Sequence, residues 1–156
     1  TARKTLKIKK ELQDTIDVII IGANPPTKQY TGKSIGTWEY WFDPIENRKF
    51  KVEIDTYNRF MDGAPIVPVT KNWYNGWAGS LKIGVYRDGK VVQIGNLSGM
   101  KDEVLMNWKN YIGKVAEIVA MEIMDTEQKG LRHTRFLNWR PDKDPKDCQY
   151  EDIFGK

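Results

Sequence analysis

Phosphate-binding chemistry is concentrated near the end of the chain, in Leu131-Arg-His-Thr-Arg-Phe-Leu-Asn-Trp-Arg140-Pro-Asp142-Lys143-Asp-Pro-Lys-Asp-Cys148. Arg132, Arg135, Arg140, Lys143 and Lys146 all fall in this stretch, 131–148. A guanidinium is a planar fork that fits pairs of phosphate oxygens, and an ammonium is a compact point charge. Asp142, between Arg140 and Lys143, can hold a neighbouring cation in place or organise a metal through water. A loose basic cluster would read as a solvated strand edge. Arg-x-Asp-Lys following Arg-Phe-Leu is a more specific order. A second pair, Lys7 and Lys9, shares one face of an extended segment because side chains alternate along a strand. Alone it reads as a solvated basic terminus.

Other matches do not survive a context check. Gly84-Val-Tyr-Arg-Asp-Gly89-Lys90 fits most of a phosphate loop but is followed by Val91, where a magnesium-binding hydroxyl is needed. It also lies on a strand–turn–strand, with no helix N-terminus to face a phosphate. Tyr86-Arg-Asp-Gly89 lacks the lysine of the Lys-x-Asp-Gly nucleotidyl-transfer tetrad, and no other such tetrad occurs. The chain has one histidine and one cysteine. No zinc set and no disulfide framework is expected from these, and no metal ligands are assigned. His133 reads as exposed or phosphate-adjacent, and Cys148 as a packed or free thiol.

The elements that must carry these groups follow from patterning. At 156 residues, a single domain is expected. With 40% hydrophobic residues the chain can build a core. The 25 Lys+Arg against 21 Asp+Glu leave +4, a mildly basic balance. The longest apolar stretch, 16–23, is interrupted by Asp17 and is far below the ~20 residues of a membrane span. No secretory leader is visible, so a cytoplasmic monomer is expected. The opening Thr1 points to a segment of a longer chain.

Residues 15–21 are rich in β-branched side chains and predict a strand. Leu81, Ile83 and Val85 alternate with Lys82, Gly84 and Tyr86, Asp88-Gly89 marks a hairpin, and 91–94 returns as its partner. Ser98 is a candidate cap for a helix carrying Met100, Val104, Leu105, Trp108, Tyr111 and Ile112 at helical spacing, with Trp108 in the core and Gly113 as the stop. Residues 115–124 predict a mostly buried strand and 132–139 a last strand. Residues 24–78 interrupt this series with Trp38, Trp41, Trp73, Trp77, prolines, glycines and short alternating runs. They read as an insertion with its own small strands, its aromatics mainly packing that core rather than stacking on bases.

The expected fold is mainly β: a five-stranded Greek-key barrel of the OB type, with one helix between strands 3 and 4 and an insertion between strands 1 and 2.

Lys7-Ile-Lys9 before a strand, the 95–100 turn before a helix, and Arg132…Arg135-Phe136…Arg140-Pro-Asp142-Lys143 together resemble the C-terminal OB domain of ATP-dependent DNA ligases, members of the covalent nucleotidyltransferase superfamily. The terminal pieces resemble that family's fifth and sixth motifs, over residues 5–23 and about 76–150. The 24–78 insertion departs from the family pattern. The resemblance implies an enzyme part: a lysine of an upstream nucleotidyltransferase domain takes AMP from ATP, AMP passes to the 5′-phosphate of a nick, and the 3′-hydroxyl displaces it. By the same resemblance Lys7 and Lys9 contact the AMP phosphate. Arg140 and Lys143, organised by Asp142, orient the β- and γ-phosphates, with Arg132 a weaker candidate. ATP and Mg2+ are shared with the upstream domain, and the hinge lies in 1–13. The partner is nicked duplex DNA in replication, repair or recombination. Two alternatives remain: a stand-alone nucleic-acid-binding OB module, and the OB domain of an RNA ligase or mRNA-capping guanylyltransferase.

Overall fold

The structure, a computed structural model, describes residues 15–31, 36–55, 65–124 and 130–155. Lys7, Lys9 and the hinge expected over 1–13 lie outside the described residues. The described chain is mainly β with antiparallel pairing throughout its named strands. It divides into two compact units, one joining the first strand to everything from Ser80 onward, the other being Pro25–Gly79. Among the described residues no helix is long and apolar enough to cross a membrane.

The larger unit is built on β1 (Ile16–Asn24), β5 (Ser80–Arg87), β6 (Lys90–Leu97), β7 (Val115–Met124) and β8 (Gly130–Trp139). They form one sheet in the order β6-β5-β1-β7-β8. β1 is central, and Val18, Ile19 and Ile20 are all buried. Leu81, Ile83 and Val85 bury alternate positions of β5, as a half-buried strand requires. The hairpin turn has positive φ at both Asp88 and Gly89, the twist that matches the flanking strands. At the far end of β1, Asn24 Nδ2 donates to Ser80 Oγ and to Asn96 Oδ1, both at 2.8 Å. The insertion therefore leaves and rejoins the sheet at paired residues.

Three expectations are corrected. The hydrogen-bonded pairs do not run round a closed barrel: β6 and β8 are the sheet's edges. Those edges approach closely at two glycines. A Cβ at Gly95 would lie 3.2 Å from the Leu131 carbonyl oxygen, and one at Gly130 3.2 Å from that of Ile94. The contact made across this seam comes from a side chain, Thr134 Oγ1 donating to the Asn96 carbonyl at 2.6 Å.

The helix expected from Ser98 to Ile112 is also shorter. It spans Asp102–Met106 with Lys101 at its cap, then tightens into a 3-10 turn, Trp108–Tyr111. The break falls at Asn107, which leaves helical geometry (φ −114°, ψ 31°) and whose Nδ2 competes with the backbone by donating to the Glu103 carbonyl at 3.0 Å. Val104 and Leu105 are buried, but Trp108 is only half-buried and Ile112 is exposed. Gly113 does end the segment, at φ 93°. Thirdly, Trp108, expected in the core, is not among the buried residues; β7 is mostly buried as expected, with Val115, Ala116, Ile118 and Ala120 buried and Met121 60% exposed.

The smaller unit pairs β2 (Thr37–Asp43) with β3 (Arg48–Asp55) and the two-residue β4 (Val67–Pro68). Trp41 is completely buried, its indole Nε1 donating to the carbonyls of Trp38 (2.9 Å) and Val52 (3.0 Å). Thr70 caps the short helix Lys71–Asn75 by accepting from Trp73 N, and Gly76 closes it at φ 74°. The Trp-rich segment thus builds short strands of its own.

Gly84 belongs to the packing, not to a phosphate loop. A Cβ there would meet the Val92 carbonyl oxygen at 2.5 Å, a contact with backbone that cannot step aside. Gly84→Ala is expected to lower the unit's stability by about 1–3 kcal/mol, as overpacked cores do, measured by urea denaturation.

Candidate phosphate-binding site

β8 ends at Trp139, and the next residue is held at once: Arg140 N–H donates to the Val115 carbonyl at 2.8 Å. The chain then turns, with Lys143 N–H donating to the Arg140 carbonyl at 3.2 Å. Pro141 suits such a turn because its φ is fixed. The turn brings Arg140 and Lys143 beside the start of β1, where Asp17 interrupts an apolar strand. Arg140 Nη1 lies 3.4 Å from Asp17 Oδ1, and Lys143 Nζ 3.4 Å from Asp17 Oδ2. One carboxylate therefore bridges both cations. Arg140 also reaches Asp142 Oδ1 through Nε at 3.4 Å and lies 4.0 Å from Glu117 Oε2.

The electrostatics are mutual. Arg140 is held above its ordinary pKa, first by the hydrogen bond to Asp142 and then by the Asp17 charge. The Asp142 carboxyl is held below the usual range by its own backbone N–H and by Arg140. Glu117 is lowered too, by hydrogen bonds from Thr15 Oγ1 (2.7 Å) and Asn138 Nδ2 (3.2 Å), with Arg140 adding. These carboxylates are ionised above the ordinary range, so their contribution to the site is lost only as pH falls through their lowered values.

Arg140 and Lys143 line a cavity of about 830 Å³. Tyr111 and Trp139, stacked with centroids 5.0 Å apart, form part of its wall, and Lys114 and Asn110 add polar groups. About a third of each cationic side chain is exposed, 33% for Arg140 and 31% for Lys143, against 16% for Asp17. The 3.4 Å contacts are longer than the 2.7–2.9 Å of a tight charge-assisted hydrogen bond. The site is thus a pair of cations resting on an internal carboxylate, rather than the open row of positive charge expected. The exposed sides of the cations can meet the oxygens of an incoming anion while the carboxylate stays paired, since a carboxylate only 16% exposed is costly to leave without a partner.

Of the residues singled out in the sequence, Arg140, Asp142 and Lys143 are brought together. Arg132 is not. It is exposed and pairs in register with Glu122, eight positions before Arg140, which is roughly 25 Å along a strand. Arg135 lines a separate, smaller cavity with Lys101 and Phe136. His133 is exposed at positive φ (54°), skipped by the β7–β8 register. Asp17, Glu117 and Tyr111 were not foreseen as site residues. The available signal for Asp17 was a charge within an apolar strand. Among the described residues no group of three His, Cys, Asp or Glu side chains is placed to hold a metal ion.

Cys148 is buried behind this turn, its carbonyl accepting from Tyr86 N–H at 2.7 Å. Burial, reinforced by the Asp17 charge, pushes its thiol up to about 11 from an ordinary 9.0. The folded state therefore holds the proton more tightly than the unfolded chain. The thiol's contribution to stability is full below pH 9 and is lost as pH rises toward 11. Native protein at pH 8 is expected to resist alkylation by iodoacetamide and to react fully once unfolded in guanidinium, scored by mass spectrometry. Rapid native labelling at pH 8 would contradict the buried, neutral thiol.

No protein-family model matches the sequence, and no curated protein matches it.

Proposed function

We propose that the chain is the OB domain of an ATP-dependent DNA ligase, acting with an upstream nucleotidyltransferase domain on nicked duplex DNA. The observation that carries this reading is the convergence of Arg140 and Lys143 on one carboxylate at the wall of an 830 Å³ cavity. The sheet supports it as well. The order β6-β5-β1-β7-β8, the approach of β6 to β8 and the single helical segment before β7 agree with the strand order of a partly open OB barrel.

The donor set fits a polyphosphate. Arg140 offers a planar fork, Lys143 a point charge, and both are partly open to solvent. In this reading ATP supplies the adenylyl group and a pyrophosphate leaving group, with Mg2+ sharing the neutralisation of charge. Arg140 and Lys143 bind the β- and γ-phosphate oxygens and set them in line for displacement at the α-phosphorus. Asp142 keeps the Arg140 fork oriented through Nε. Asp17 holds both cations in place and stays paired, while their exposed sides meet the phosphate oxygens. Lys7 and Lys9 keep the AMP-phosphate role that the resemblance implies, and Arg132 is not carried forward. Catalysis of this kind is positioning plus charge stabilisation, for which two preset cations suffice on the leaving-group side. Contact with DNA is mainly to phosphates and therefore salt-sensitive.

In the parent enzyme, Arg140→Ala or Lys143→Ala is expected to reduce self-adenylylation by roughly 10²-fold or more, the scale of losing one charge-stabilising donor. Sealing of a pre-adenylylated nick should fall much less. Gel assays with labelled ATP and with a pre-adenylylated nicked duplex separate the two, and equal losses would argue against a leaving-group role.

The 156-residue chain alone should form no covalent AMP adduct, since it lacks the nucleotidyl-lysine tetrad. A stable protein–AMP bond on it would overturn the domain assignment. Replacing the DNA nick by an RNA nick or a capping substrate decides against the RNA-modifying alternatives.

A further inference from the structure

The Pro25–Gly79 unit carries more aromatic surface than its core uses. Trp41 is completely buried in that core, as is Val69, and its own N–H is satisfied internally. Trp38, Phe42, Trp73 and Tyr74 remain only half-buried. They are joined through rings rather than scattered. Tyr30 stacks on Trp38 at 3.6 Å and 4°, Trp38 meets Tyr40 edge-on at 5.7 Å, Tyr40 meets Tyr74 at 5.0 Å, and Phe42 meets Trp73 at 5.4 Å. The Trp38 indole is fixed by donating to the Val69 carbonyl at 2.7 Å.

Exposed ammonium groups lie over the same rings. Lys28 Nζ is 4.2 Å from the Phe42 centroid and 4.8 Å from that of Trp73. Lys49 Nζ is 5.6 Å from both Trp73 and Tyr74, and Lys51 Nζ is 5.6 Å from Tyr40. The register explains the arrangement, because Lys51 faces Tyr40 and Lys49 faces Phe42 across the β2–β3 ladder. The Tyr74 carbonyl steadies Lys49 at 2.9 Å, and Glu39 lies 3.6 Å from Lys51. Asp43, the other acid of β2, is occupied in its own turn, accepting from the Ile45 and Glu46 N–H groups.

Fixed, half-exposed rings interleaved with lysines are what an unpaired strand requires. Each base has a face for stacking, and each phosphate has a charge to be met. A duplex offers its phosphates but hides its base faces. The geometry points to this face as a binding surface for single-stranded DNA: Lys28 and Lys49 swing from over the rings to the phosphates, and bases stack on the faces of Phe42 and Trp73 so uncovered and on the face of Trp38 that Tyr30 leaves free. DNA rather than RNA as the source rests on the function proposed above; the surface itself does not involve Arg140 or ATP.

The test is a tryptophan-fluorescence titration of the whole chain with dT12 at low salt. The other arms are an abasic 12-mer, a 12-base-pair duplex and rU12. dT12 is expected to bind with quenching, at least tenfold more tightly than the abasic strand and the duplex, and no more weakly than rU12. Lys28→Ala with Lys49→Ala should weaken dT12 binding about tenfold or more and reduce the salt slope by about 1.4, as loss of two single-strand phosphate contacts does. Trp73→Leu should reduce binding and quenching together. Near-UV circular dichroism from the buried Trp41 checks that each variant is folded; where Trp73→Leu is not, the lysine variants decide. Equal binding of abasic strand and dT12, tighter binding to duplex, clear preference for rU12, an unchanged lysine variant, or no binding at low salt each overturns the inference. Arg140→Ala should bind dT12 as the unaltered chain does. Failure of strand binding and failure of the adenylylation assays therefore fall on separate residues and are told apart.

Discussion

A single carboxylate on the central strand organises the end of the larger unit. Asp17 sits one position before Val18, Ile19 and Ile20, all buried, so β1 cannot shift register without driving a charge into the core. At 16% exposure its side chain is mostly withdrawn from water, which makes an unpaired charge there costly. Arg140 and Lys143 meet that demand. In doing so they hold the turn after β8 against β1, although 123 residues separate Asp17 from Arg140 in sequence. The Val115 carbonyl accepting from Arg140 N–H makes the same attachment through the backbone. Hydrogen bonds from Thr15 and Asn138 set Glu117, Asp142 is set by its own backbone N–H and Cys148 by burial, with the charges of this cluster adding to each.

In the proposed reading, that arrangement makes sense of a phosphate site built from paired rather than idle cations. Two side chains that must meet an anion at defined positions lose less freedom on binding if something already holds them. The internal carboxylate does so, and the exposed third of each cation is left to meet the anion.

The Pro25–Gly79 unit follows another logic. Its fully buried indole gives it a core, while the remaining rings are spread along one sheet face and a short helix, with lysines laid over them. Cation–aromatic contacts of this kind stabilise modestly when exposed. They also keep the ring faces from forming a bare apolar patch. Because the insertion leaves β1 at Asn24 and rejoins at Ser80, residues paired in register, it can be present without disturbing the sheet that carries it.

Local chemistry was legible along the chain. The Asp88-Gly89 hairpin, the alternation of Leu81, Ile83 and Val85, the stop at Gly113 and the boundaries of the Trp-rich insertion all follow from neighbours a few residues apart, where period and turn conformation are set. The order Arg140-Pro-Asp142-Lys143 could likewise be picked out as chemistry. Helix length could not, because the Asn107 side chain donates to the Glu103 carbonyl, a competition with the backbone that helical spacing does not register. Arg132 was a weaker candidate for the same role as Arg140, and strand rise carries it to a different place. Asp17 and Glu117 were invisible as partners because they lie on β1 and β7, whose neighbours at the site are fixed by sheet order rather than by sequence distance. Residue type and spacing thus determined which groups could bind phosphate; only the pairing of distant strands decided which cations share one carboxylate, since that contact depends on long-range register, which a one-dimensional pattern does not contain.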